Sequence, residues 1–296
     1  MTLTALVTPF LTNSEIDWSS LENLLHFQLD SEIDGLIALC TTSETPTLNR
    51  SEQLEIAKFV LKINQKYNKK IYFGLAGSNT NQVKQDIIEF DNLSGSQGFL
   101  ISSPSYNKPP QAGLVKHFLE LDKATTKEII VYNVPGRTGV NLQPESLVQI
   151  LKSSQNIVAV KEACGDLDQI QEVINLTKLD FPNFQILSGD DALTVDILVS
   201  GGHGVVSVAS NLYPNEIARM VNSANKDLKT SRILEARFSQ FFSDCFIQSN
   251  PIPIKYFLSQ HKIIQTDQVR MPLVSYSELE KIQKKVKRLT SLVSAF

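Results

Sequence analysis

Eight short apolar runs recur along the chain at intervals of about thirty residues, and the segments between them carry apolar residues at helical spacing. The runs are TALVTPF from Thr4, GLIALC from Gly35, KIYFGLA from Lys70, GFLISSP from Gly98, EIIVYNVP from Glu128, IVAVKEA from Ile157, FQILSGDD from Phe184 and GVVSVAS from Gly204. Intervening stretches such as DWSSLENLLHFQ after Asp17, PESLVQILKS from Pro144 and GDLDQIQEVINLTK before Phe181 open with the acidic caps or prolines that start helices. Eight strand and helix units over about 225 residues predict a (β/α)8 TIM barrel across residues 1–226. An open doubly wound sheet is the alternative, but no GxGxxG fingerprint follows the first run. Beyond residue 226 the pattern is helical only: DLKTSRILEARFSQFFSDCF, PIPIKYFLSQ and SYSELEKIQKKVKRLTSLV. Residues 227–296 are expected to form a C-terminal helical region packed on the barrel or on a neighbouring subunit, because its apolar faces need cover.

Composition narrows the function class. The net charge is −3, and basic and acidic residues are mixed, so there is no basic stripe for nucleic acid or an anionic membrane. Three cysteines (Cys40, Cys164, Cys245) and four histidines show no metal-ligand spacing, so the expectation is a reduced, cytoplasmic protein with no metal. The start, MTLTALVTPF, lacks a basic segment followed by a long apolar one, and no apolar stretch approaches the ~20 residues of a membrane span. The sequons at Asn92 and Asn175 are accordingly read as chance matches. Small-molecule chemistry is what remains.

The sixth run, IVAVKEACG, delivers Lys161 at its end. In a barrel, strand ends carry the active site. An apolar mouth disfavours the ammonium form, and the neutral amine attacks carbonyls to give a Schiff base whose iminium is an electron sink. Other strand ends add polar groups: Thr41, Thr42 and Glu44 in CTTSE, Tyr106 in SPSYN, and Tyr132 and Arg137 in YNVPGRTG. Hydroxyls donate and accept, so two tyrosines and a threonine suit a proton relay. An arginine fork suits a carboxylate. Singly, each has a plainer reading: Lys161 snorkels to solvent, Tyr132 packs, Arg137 is a surface charge, Glu44 orients its loop, Asp190 and Asp191 cap a helix, and His203 between glycines is structural. Their joint placement at strand ends is what argues for a site.

These motifs resemble the dihydrodipicolinate synthase branch of the pyruvate-dependent class I aldolases. ALVTPF, TTSETPTLNRSE, SPSYNKPPQAGLVKHF, YNVPGRTG, VAVKEACG, LSGDD, GGHGVVSVASN and NPIPIK stand in family order, almost end to end. The resemblance implies that Lys161 forms the Schiff base, that Tyr132 is the central proton-transfer group, and that Thr42 and Tyr106 are its relay partners, with Tyr106 crossing a dimer interface. It implies further that Thr41 and Thr42 hold the pyruvate carboxylate, that Arg137 grips the carboxylate of L-aspartate-4-semialdehyde, and that the carbonyls of Gly189 and Val206 line the lysine's pocket. The implied product is 4-hydroxy-tetrahydrodipicolinate, made without cofactor or metal by a homo-oligomer, a dimer or a dimer of dimers.

Departures from the family accompany the match. Where the family's GTTGE turn has glycines, this chain has Cys40 and Ser43, and a positive φ at Ser43 would bring strain. At positions that bind inhibitory lysine in some relatives, the chain reads Arg50, Gln53, Val83 and Ser105, with Asn79 retained, so weak or absent lysine inhibition is expected. Two rivals stay open: a sugar-acid lyase on the same scaffold, against which Arg137 argues, and a non-catalytic keto-acid-binding paralogue, against which the retained relay argues.

Overall fold

A computed structural model describes residues 1–282. The eight apolar runs are eight parallel strands: β1 (Thr2–Ala5), β2 (Gly35–Ala38), β3 (Lys70–Leu75), β4 (Gly98–Ser102), β5 (Glu128–Asn133), β6 (Ile157–Glu162), β7 (Gln185–Ser188) and β8 (Gly204–Ser207). They pair in chain order and close between β8 and β1, where Leu3 stands opposite Val206. The expected TIM barrel is therefore present. β1 begins two residues earlier than its apolar run and ends at Ala5; Leu6 donates its N–H to the Ile37 carbonyl of the adjacent β2, and Pro9, which has no N–H to offer a ladder, follows.

Helices form where the start signals stand. Asp17 accepts from the Ser20 N–H at the head of helix Trp18–Leu29, and Asp166 does the same for Asp168 and Gln169 at helix Leu167–Thr177. Two apolar layers result. One lies between sheet and helices. The other fills the barrel and includes Leu3, Ile37, Tyr72, Leu100, Ile130 and Ala159, whose alternation fixes which side chains of each strand point inward.

Helices Leu228–Asp244, Ile252–Gln260 and Tyr276–Ile282 follow the barrel. A third apolar cluster of Ile252, Val269 and Tyr276 lies within this part. The end of the predicted SYSELEKIQKKVKRLTSLV helix falls outside the described residues. Among those residues no helix is long and apolar enough to cross a membrane.

Candidate active site

Inward alternation sets the centre of the site. Tyr132 follows Ile130 by two residues on β5, and Lys161 follows Ala159 by two on β6, so both point into the barrel at its C-terminal end. The ladder places them opposite one another. Lys161 is 5% exposed, and its Nζ lies 4.2 Å from the centroid of the Tyr132 ring. Its neighbour in sequence, Glu162, faces the helices and accepts from Asn133 Nδ2 at 3.1 Å. Burial pushes the Glu162 carboxyl up to about 7, against hydrogen bonds from Asn133 and Cys164 that lower it.

The turn after β2 supplies the threonines. Gly74, inward on β3, makes room for it: a Cβ there would lie 2.3 Å from the Leu39 carbonyl oxygen. Thr41–Ser43 form a single 3-10 turn. Ser43 does not take a positive φ, so it carries no such strain; the positive φ values fall on Leu39 and Glu44, at 56° each. The Ser43 hydroxyl instead ties the turn together: it donates to the Leu6 carbonyl at 2.6 Å and accepts from the Cys40 N–H at 3.2 Å. A glycine could make neither bond. Cys40 is buried, with its thiol directed at the Ile37 carbonyl.

Glu44 does more than orient its own loop. Its carboxylate, 3% exposed as a residue, accepts from Lys255 Nζ at 2.7 Å and from the Arg270 N–H at 2.9 Å. Lys255 also donates to the Thr8 carbonyl at 2.9 Å, and Arg270 pairs with Glu52 at 2.6 Å. Burial pushes the Lys255 ammonium below the ordinary lysine range, opposed by Glu44 beside it.

A cavity of about 600 Å³ opens at this end of the barrel, and Thr41, Tyr132, Val134, Arg137 and Asn250 are among the residues that line it. Arg137, in the short helix Pro135–Thr138, is exposed, and no described carboxylate pairs with it. Thr42 is buried beside the cavity, where its Oγ accepts from Asn250 Nδ2 at 3.0 Å. No hydrogen bond joins Thr42 to Tyr132 among the described residues. Gly189 donates its N–H to the Glu162 carbonyl at 2.6 Å, next to the end of β6, and Val206 belongs to the barrel interior with Tyr132. Tyr106 stands apart: it is 94% exposed, with φ 71°, on a loop held by its N–H to the Thr138 carbonyl.

The plainer readings hold for Asp190 and His203. Asp190 accepts from the Ala192 N–H and caps the turn that follows it, whereas buried Asp191 does not cap that turn: it accepts from the N–H groups of Val208 and Ala209, just after β8. His203 accepts from the Ile186 N–H through Nδ1, and its carbonyl receives the N-terminal ammonium at 2.7 Å, away from the mouth. Asn250 and the bonding role of Ser43 went unread in the sequence. The polar Asn250 beside the prolines of NPIPIK was the one available signal.

Comparison with known proteins agrees with this geometry. The model of the Dihydrodipicolinate synthetase family matches residues 1–292. The 4-hydroxy-tetrahydrodipicolinate synthase of Protochlamydia amoebophila is 40% identical over 276 residues, covering 93% of this chain and 91% of that protein. The crystal structure of dihydrodipicolinate synthase from Thermotoga maritima superposes with a TM-score of 0.90 at 36% identity, over 94% of this chain and 93% of that one. The chloride-inhibited dihydrodipicolinate synthase from Acinetobacter baumannii, solved in complex with pyruvate, gives 0.88 at 30% identity, over 95% and 94%. With a matching barrel, a buried lysine at the end of β6 and a family match over nearly its whole length, the chain belongs to the dihydrodipicolinate synthetase family.

Proposed function

We propose that this chain condenses pyruvate with L-aspartate-4-semialdehyde to give 4-hydroxy-tetrahydrodipicolinate, the branch-point step of diaminopimelate and lysine synthesis, in the cytoplasm. The observation that carries the reading is the Lys161 and Tyr132 pair, level with one another at the mouth of a closed barrel and beside a cavity with Arg137 on its lining. The Lys161 amine adds to the pyruvate carbonyl and water leaves, giving an imine. The iminium draws electrons from the methyl C–H bond, whose proton passes to the hydroxyl relay, and an enamine forms. The enamine carbon bonds to the aldehyde carbon of the second substrate, and the aldehyde oxygen takes up a proton. The substrate's own amine then adds to the imine carbon and displaces Lys161 as the ring closes. The iminium accepts the C–H electron pair and the enamine delivers it to the aldehyde carbon, so the lysine adduct serves as the electron sink and the scheme uses no cofactor or metal.

Thr41 and Thr42 serve the pyruvate carboxylate in this proposal, with the carbonyls of Gly189 and Val206 lining the lysine's pocket. Arg137 serves the carboxylate of the aldehyde, and its freedom from any described ion pair leaves the fork available. Tyr106 reaches the site of a partner subunit, which accounts for a tyrosine left 94% exposed on its own chain. The working unit is then a homodimer or a dimer of dimers, with residues 1–226 as its catalytic barrel. Lysine inhibition is weak in this reading: Arg50 is already engaged by Asp86 at 3.1 Å and by Glu89 Oε2 at 2.8 Å from its Nε, and Val83 offers a ligand amine no counter-charge.

The reading is tested by incubating the protein with both substrates and following product. Turnover dependent on both is expected. Cleavage of polyhydroxylated sugar acids in its place would favour the lyase reading.

A further inference from the structure

The residue that holds Thr42 comes from far along the chain. Asn250 precedes helix Ile252–Gln260, is 6% exposed and lines the cavity. Its Nδ2 donates to Thr42 Oγ at 3.0 Å, and the Thr42 hydroxyl donates to no described atom. A hydroxyl has one proton and two lone pairs. An amide N–H filling one lone pair cannot accept in return, so the Thr42 proton must point elsewhere. Threonine is stiff about χ1, which limits the directions left to it.

We propose that Asn250 is a positioning residue: its amide commits Thr42 to act as a donor toward the reacting groups, setting the direction of the proton relay. The inference rests on the Schiff-base reading above. Two further features fix the geometry. The helix that follows Asn250 also brings Lys255 to Glu44 at 2.7 Å, and the Ser43 hydroxyl ties the turn to the Leu6 carbonyl, so the turn is gripped at Thr42, Ser43 and Glu44 in succession. The buried Oδ1 of Asn250 has no partner among the described residues.

The test uses the full chain with Asn250→Ala, Asn250→Asp and Asn250→His. Three quantities are read: borohydride-trapped pyruvate adduct, exchange of the pyruvate methyl protons with deuterated water by NMR, and kcat and KM for condensation, with melting temperatures alongside. Adduct formation is expected in all three variants. Methyl exchange and kcat should fall roughly ten- to a hundredfold in Asn250→Ala, with KM for pyruvate moving less. Asn250→Asp should be slower still, although it is isosteric, because its carboxylate accepts the Thr42 proton and draws it from the cavity. Asn250→His, with an Nδ1–H near the position of Nδ2, should recover part of the rate. A packing role predicts the reverse order, with Asp milder than Ala and rate losses that track melting. That order, or exchange and kcat in Asn250→Ala equal to the unaltered protein, overturns the proposal. Failure of the unaltered protein to form any adduct would instead remove the Schiff-base reading itself.

Discussion

Lys161 and Lys255 are the two buried lysines among the described residues, at 5% and 0% exposure, and the barrel treats them in opposite ways. Lys255 is neutralised. It meets the Glu44 carboxylate at 2.7 Å, the Thr8 carbonyl at 2.9 Å and the face of Phe10 at 4.3 Å, so its charge is spent on joining the C-terminal helices to the barrel mouth. Lys161 has an aromatic face at 4.2 Å and no described carboxylate in ion-pair range. A buried ammonium without a counter-ion is costly, whereas a paired one is costly only when its partner is removed. Burial by itself therefore does not single out a candidate nucleophile; in the proposed reading, burial without a counter-charge at a strand end does.

The contrast yields opposite outcomes for the two truncations. Lys161→Ala should lower kcat on the order of a thousandfold or more by removing the nucleophile, while leaving the melting temperature unchanged or raised. Lys255→Met should do the reverse. It strands the Glu44 carboxylate, which costs about 3 to 5 kcal/mol, or roughly ten degrees of Tm, and adding Glu44→Gln should return much of that loss. A Lys255→Met protein that melts normally but is inactive would break the comparison.

Arg137→Ala sharpens it by asking which half of the reaction depends on the rim. Condensation should lose roughly ten- to several-hundredfold in kcat/KM, from ~1.5 to 3 kcal/mol of charged hydrogen bonding, while the pyruvate adduct at Lys161 still forms. Equal loss of both half-reactions would make Arg137 structural.

The smallest expected effect concerns Glu162, beside Lys161 in sequence but facing away from it. Its carboxyl is raised to about 7 in the folded state. Between its unfolded value near 4.3 and about 7, the folded chain holds a proton that the unfolded chain has released, so stability falls as pH rises through that window. Glu162→Gln should remove this slope, melting above the unaltered protein at pH 8 and converging with it near pH 4. Melting curves across that range check it; an unchanged slope would mean that Glu162 is ionised in the fold.

The barrel was legible because each strand is an apolar run closed by polar residues, and because Asp17, Pro144 and Asp166 announce helices locally. Lys161 and Tyr132 were legible for the same reason: polar groups stand out at the end of apolar runs, and their spacing from Ala159 and Ile130 fixes the inward face. The boundary of β1 was blurred, since Leu6 and Val7 continue the apolar pattern past Ala5, where the strand ends. The turn's backbone was not legible: no residue type announces that the positive φ values fall on Leu39 and Glu44 and not on Ser43. Asn250 could not be placed at all: its bond to Thr42 spans 208 residues, and no periodicity encodes a tertiary hydrogen bond of that reach.

The difference between the two lysines is tested most directly by reducing the protein with borohydride in the presence of pyruvate and locating the adduct by peptide mass spectrometry. The account predicts a single pyruvate-derived modification, on the peptide containing Lys161, with the Lys255 peptide unmodified. Label on Lys255, or sustained condensation with no adduct on Lys161, would contradict it.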